Sequence, residues 1–162
     1  MEVAKELVRV AKLLSAKDRA FETGKYKNFT GSIEYGRGFS KVMGTVKNAT
    51  FELKDFSVYW AKGTWLTGEF FGIWENGTWE NGTFFGEVWM NGLWKNGKHV
   101  DGIWNNGTWN KGIWYDGEWN KGTFKDGEWW DGTWDNGKWI KGSWKRGDDS
   151  KGQLHTNPPN EW

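Results

Sequence analysis

His99 and His155 are the only imidazoles in a chain of 162 residues that contains no cysteine. A zinc-type centre needs three or four imidazole, thiolate or carboxylate ligands that converge, and these two histidines do not stand at ligand spacing. Two carboxylates can work as a general acid and base, but Asp116, Glu118, Asp126 and Glu128 recur because their surroundings recur, which marks a solvated edge. The Asp and Asn spacing lacks the calcium-loop pattern. Gly36-Arg37-Gly38 has no strand–turn–helix context and is no phosphate loop. Serine and lysine show no partner arrangement for nucleophilic catalysis. These residues predict a protein that is not an enzyme, with no metal and no cofactor.

Tryptophan is the remaining residue type able to do chemistry, by stacking on sugars, on cations or on itself. Twelve of the sixteen tryptophans fall in one strictly spaced column: Trp74, Trp79, Phe84, Trp89, Trp94, His99, Trp104, Trp109, Trp114, Trp119, Phe124, Trp129, Trp134, Trp139 and Trp144 recur every fifth residue. His99 alone interrupts the column, and its position predicts an imidazole stacked among indoles. A glycine lies two residues before nearly every member, so the segment 63–147 is one pentapeptide, Gly-x-Trp-x-Asn or a close variant, written over and over.

The elements that position these rings must turn every five residues. A helix of 3.6 residues per turn would rotate the column around its axis, and a glycine at every fifth position would destabilise it. Two constructions remain: an antiparallel meander of very short strands, or a pentapeptide-type β-solenoid. The residue before glycine alternates, with Asn76, Asn96, Asn106, Asp116, Asp126 and Asn136 in one series and lysines at 111, 121 and 141 in the other. Asn-Gly and Asp-Gly are strong two-residue hairpin signals. The sequence therefore predicts an all-β repeat protein, a meander with a ten-residue hairpin repeat, turning at Asn76-Gly77, Asn96-Gly97, Asn106-Gly107, Asp116-Gly117, Asp126-Gly127 and Asn136-Gly137. The solenoid is the alternative. In a meander Trp79 faces Phe84, all column aromatics project from one face, and the ribbon runs to roughly 80 Å at ~4.8 Å per strand. A four-sided coil would be far squatter.

Around the array the chain divides into three further parts. Residues 1–16 place Val3, Leu7, Val10 and Leu14 at helical spacing opposite Lys5, Glu6, Arg9 and Lys12, which predicts an amphipathic helix. Leu7, Val10 and Leu14 are candidate docking residues. Residues 17–62 alternate as irregular strands and read as a degenerate entry to the repeats, the usual form of a terminal unit. Residues 148–162 read as an extended tail whose Trp162 is a second candidate for docking. Inside the array, Gly68 to Gly72 is a step of four, and Glu87 stands where a glycine is due while Gly86 sits one place early.

Composition narrows the function classes. Net charge is +1, and no segment is basic enough for a nucleic-acid grip. No apolar run approaches the ~20 residues of a membrane span. Charges within 1–16 argue against a secretion signal. Fifteen column side chains at ~150–250 Å² apiece far exceed the few hundred Å² of apolar surface a soluble monomer exposes. That face needs cover from coiling, from the N-terminal segment or from another chain.

The run Gly77-Thr78-Trp79-Glu80-Asn81-Gly82 resembles the core of MORN-type repeats, scaffolding and contact modules, from which it differs in lacking their longer spacer. The short Ala/Lys/Leu segment Val3–Arg9 followed by Gly-x-Trp-x-Asn/Asp arrays is more closely similar to Trp/Gly-rich pentad proteins of tailed phages. That resemblance implies a virion-associated structural protein, of decoration, fibre or baseplate type. The expectation is a non-enzymatic repeat scaffold with protein partners, itself among them, in a larger assembly, located in a virion or otherwise in the cytoplasm. A carbohydrate-binding module using exposed Trp is the rival expectation.

Overall fold

A computed structural model describes residues 22–162. The candidate helix 1–16, with Leu7, Val10 and Leu14, lies outside the described residues.

The array is a parallel β-solenoid. Short strands, most of them two residues long, pair with the segment fifteen residues on, as in Trp74↔Trp89, Trp89↔Trp104, Trp104↔Trp119 and Trp119↔Trp134. Three pentads therefore make one turn, and the coil has three sides. The first side carries Trp60, Trp74, Trp89, Trp104, Trp119 and Trp134 inside. The second carries Trp65, Trp79, Trp94, Trp109, Phe124 and Trp139. The third carries Phe70, Phe84, His99, Trp114, Trp129 and Trp144.

This overturns the meander, the ten-residue repeat and the four-sided version of the coil. A meander pairs the backbone but leaves its whole aromatic face in water, whereas coiling pairs the backbone and buries the rings from three sides at once. Trp79 stacks between Trp65 and Trp94 and meets Phe84 only edge-on, at 6.0 Å. The chain covers its own aromatic face.

The predicted hairpin turns at Asn76-Gly77, Asn96-Gly97, Asn106-Gly107, Asp116-Gly117, Asp126-Gly127 and Asn136-Gly137 are instead corners of the coil. A type I′ turn needs φ above zero at both central residues. Here only the glycines have it, with Gly77 at +127° and Gly117 at +117°, and no Asn, Asp or Lys before them does. Lysine is therefore as acceptable at 111, 121 and 141 as asparagine is elsewhere. At most corners that carry Asn or Asp, the side-chain Oδ1 accepts the next glycine's N–H, at 2.9 Å from Gly77 to Asn76 and 2.8 Å from Gly117 to Asp116.

The glycines answer to a second demand. A Cβ on Gly107 would stand 2.5 Å from the Gly92 carbonyl oxygen one turn back, and one on Gly122 would stand 2.3 Å from that of Gly107. Regular stacked corners leave no room for a side chain, so glycine follows glycine through the array except at Glu87, which stands between Gly72 and Gly102. Backbone hydrogen bonds run between turns at the corners, such as Thr108 N–H to Gly92 O at 2.9 Å and Asn110 N–H to Trp94 O at 2.8 Å.

Both phase faults are absorbed locally. Because of the four-residue step from Gly68 to Gly72, the first turn is one residue short, pairing Trp65 with Trp79 and Phe70 with Phe84. At the second fault the strand Thr83–Trp89 runs unbroken across a corner, with a register shift that sets Phe71 beside Gly86.

The entry segment is an antiparallel sheet of three long strands, β1 (Gly24–Tyr35), β2 (Val42–Lys54) and β3 (Ser57–Trp74). β3 continues into the first turn of the coil. Ile33, Val46, Phe51, Leu53 and Val58 bury against it, and Phe51 stacks on Trp60 to close that end of the first column. At the other end the tail is not simply extended. Gly147–Asp149 pairs antiparallel with Leu154–His155, and a 3-10 turn over Pro159–Glu161 returns Trp162 to the coil. Trp162 stacks on His155 at 3.9 Å and meets Trp144 edge-on at 5.6 Å. It caps this end of the coil with 42% of its surface still exposed.

Candidate interaction surface

The ladder residues predicted as a face lie inside the solenoid. Trp74, Trp79, Phe84, Trp89, Trp94, Trp104, Trp109, Trp114, Trp119, Phe124 and Trp129 have no exposed surface, Trp134 and Trp139 have almost none, and only Trp144 is half-buried. Within a column the rings lie nearly parallel, for example Trp89 on Trp104 at 4.7 Å and 4°. Across columns they meet edge-on, as in Trp104 on Trp109 at 72°. Both geometries suit the aromatic quadrupole. Trp94, Trp109, Trp114 and Trp129 each donate the indole N–H to the carbonyl seventeen residues on, at 3.1 Å.

His99 occupies its predicted slot, stacked on Trp114 at 3.8 Å and on Phe84 at 5.2 Å. Burial pushes its pKa down to about 3, outweighing the nearby Asp116 carbonyl, which favours the protonated ring. That carbonyl is the counterpart of the indole acceptors, yet neither ring nitrogen reaches hydrogen-bonding geometry. A neutral imidazole held this way is a ladder member and has no access to solvent.

His155 Nε2 donates to Asp149 Oδ2 at 2.9 Å. That contact, followed by the Gln153 and Lys151 N–H groups, holds the Asp149 carboxyl below its ordinary range. The pair pins the tail hairpin beneath Trp162. Among the described residues no group of three or more His, Cys, Asp or Glu converges on a metal-sized site, and no helix is long and apolar enough to cross a membrane.

What can meet a partner lies outside. Since side chains alternate in and out along a strand, the residue after each inward ring points outward and stacks every fifteen residues. On the first side these are Glu75, Met90, Asn105, Asn120 and Asp135, and on the second Glu80, Lys95, Asn110, Lys125 and Ile140. On the third side they are Phe85, Val100, Tyr115, Trp130 and Lys145. Two sides are mixed and mainly polar, whereas the third carries an outer aromatic stripe.

Phe85 and Trp130 remain 36% and 38% exposed, and Tyr115 and Val100 are half-buried. Phe71 prolongs the stripe, its ring 3.9 Å from where a Gly86 Cβ would stand. Tyr115 and Trp130 pack at 5.2 Å with a 53° tilt. Beside the stripe, at the next corner, run Asp101, Asp116, Asp131 and Arg146. Lys145 places its ammonium 3.5 Å over the Trp130 ring, and the Arg146 guanidinium reaches Asp131 at 3.3 Å. Sequence reasoning passed over this stripe, although Phe85, Val100, Tyr115 and Trp130 already stand at a period of fifteen.

Compared with protein-family models, with curated proteins and with solved structures, the chain matches none.

Proposed function

We propose that this chain is a non-enzymatic structural and interaction protein, a rigid three-sided spacer that presents the outer stripe of its third side to a protein partner in a larger assembly. The observation carrying this reading is the alignment of Phe85, Val100, Tyr115 and Trp130 on one side only, partly exposed although the coil buries the rings of its inner columns. A stack of turns joined by backbone hydrogen bonds and ring contacts holds such a stripe straight. The assembly we have in mind is a virion, with the chain as a decoration, fibre or baseplate-type component. Purified particles should contain the chain in fixed stoichiometry, and a photo-cross-linking residue at Tyr115 should capture a particle protein that one at Asn110 does not. Particles that lack the chain would sink the virion version.

Carbohydrate binding is the second reading, and the structure moves it. The ladder rings other than Trp144 have almost no exposed surface to offer a sugar, so the reading rests on Phe85, Tyr115 and Trp130. Glycans that shift Trp fluorescence in the whole chain, with the shift lost in Trp130→Ala, would support it.

A further inference from the structure

Resting on that interaction reading, we propose that the third side takes an extended, arginine- and lysine-rich segment of a partner protein, seated along the aromatic stripe and its column of aspartates. The last rung already shows the arrangement. Lys145 and Arg146 follow Trp130 and Asp131 by one turn, and they put an ammonium over the indole and a guanidinium on the carboxylate. This chain therefore supplies, from its own next turn, the cationic pair that such a rung accepts.

The earlier rungs have the same outer groups. Tyr115 stands beside Asp116, and Val100 beside Asp101. Asp116 and Asp101 accept only their neighbouring glycine N–H groups, 2.8 Å each, and form no ion pair among the described residues. Because Val100 is smaller than its neighbours, the stripe has a notch between the Phe85 and Tyr115 rings, about two strand spacings or ~10 Å apart along the coil. Asp101 stands at the edge of this notch. A guanidinium entering over Val100 meets an aromatic ring on either hand and a carboxylate at its side. Cations prefer both kinds of neighbour.

The charge of this side points the same way. Counting both of its corners, before the last rung it bears Glu87, Asp101, Asp116, Asp126, Glu128 and Asp131 against Lys98 and Lys111. An acidic peptide or a nucleic acid would be repelled. An uncharged apolar segment would leave the aspartates without partners.

The test is calorimetric titration of the full chain, at low ionic strength, with a short capped peptide alternating arginine and serine. The control peptide has citrulline in place of arginine. Each rung combines a cation–π contact with an exposed ion pair, so Tyr115→Ser with Asp116→Asn should weaken binding roughly tenfold. Asn110→Ser on the second side should leave it unchanged. Lys145→Ser with Arg146→Ser frees the last rung and should tighten binding about fivefold, an effect that damage to the fold cannot produce. Near-equal binding of the citrulline peptide, no binding of the arginine peptide, or no gain on freeing the last rung would each overturn the proposal. If the peptide fails while Tyr115 still cross-links a particle protein, the cationic partner is wrong and the interaction reading stands. If neither occurs, both fall.

Discussion

Replacing His99 with phenylalanine tests the solenoid at its single irregular rung. His99 is fully buried and stacked between Phe84 and Trp114, and phenylalanine already fills equivalent slots at Phe84 and Phe124. The histidine has a pKa of about 3 in the fold against an ordinary 6.5. Its folded state stays neutral while the unfolded chain takes up a proton below 6.5, so stability is lost as pH falls through that window and levels off near 3. At about pH 4.5 the loss is two units of pH at ~1.4 kcal/mol each, or ~3 kcal/mol. His99→Phe removes this term together with two ring nitrogens that have no hydrogen-bond partner. The variant should be more stable by ~1–3 kcal/mol at neutral pH and by ~3 kcal/mol more at about pH 4.5. Urea unfolding followed by far-ultraviolet circular dichroism, repeated between pH 7.5 and about 4.5, gives the difference directly. Carboxylates titrate alike in both proteins and cancel. Any misfit of the larger ring also cancels, because it does not depend on pH. A difference that stays constant across the range would show that His99 titrates in the fold as it does in the unfolded chain, and would refute its place in the ladder.

Other substitutions test the remaining parts of the architecture. Gly107→Ala combines a φ of +122° with a Cβ 2.5 Å from the Gly92 oxygen, whereas Gly152→Ala has a φ of +79° and open space. The first should cost more than ~3 kcal/mol or prevent folding and the second about 1 kcal/mol, by urea midpoint. Trp104→Ala empties a fully buried slot and should cost ~3–5 kcal/mol, while Trp130→Ala on the outer stripe should cost under ~1 kcal/mol. Iodide quenching of tryptophan fluorescence should reach mainly Trp130 and Trp162, which are 38% and 42% exposed, so Trp130→Phe with Trp162→Phe should remove most of the quenchable signal. Quenching that survives the double change would mean that the coil opens.

How far the fold could be read from the chain depends on which residues speak about neighbours five positions away and which about neighbours fifteen away. The column from Trp74 to Trp144 and its glycines identify the unit, because a turn every five residues and an inward ring are local demands. Local chemistry does not count the sides. That number follows from which pentads stack, through contacts such as Trp89 on Trp104 and Gly107 over Gly92, and a regular pentad looks the same in a meander, a triangle or a square. The Asn76, Asn96 and Asn106 series suggested a period of ten, yet ten residues carry the chain to a different side each time. Its geometric meaning vanishes once φ at the corners of the array is positive only at glycine. The informative departures are those that repeat at fifteen. Tyr115 and Trp130 follow Phe85 and Val100 on the outer face, and Asp116 and Asp131 follow Asp101, so the irregular outer residues record the geometry that the inner column hides. In an array whose inward positions are nearly uniform, the side count and the partner surface we propose are written in the same outward residues. A partner that read the third side would be reading the feature that distinguishes it from the other two.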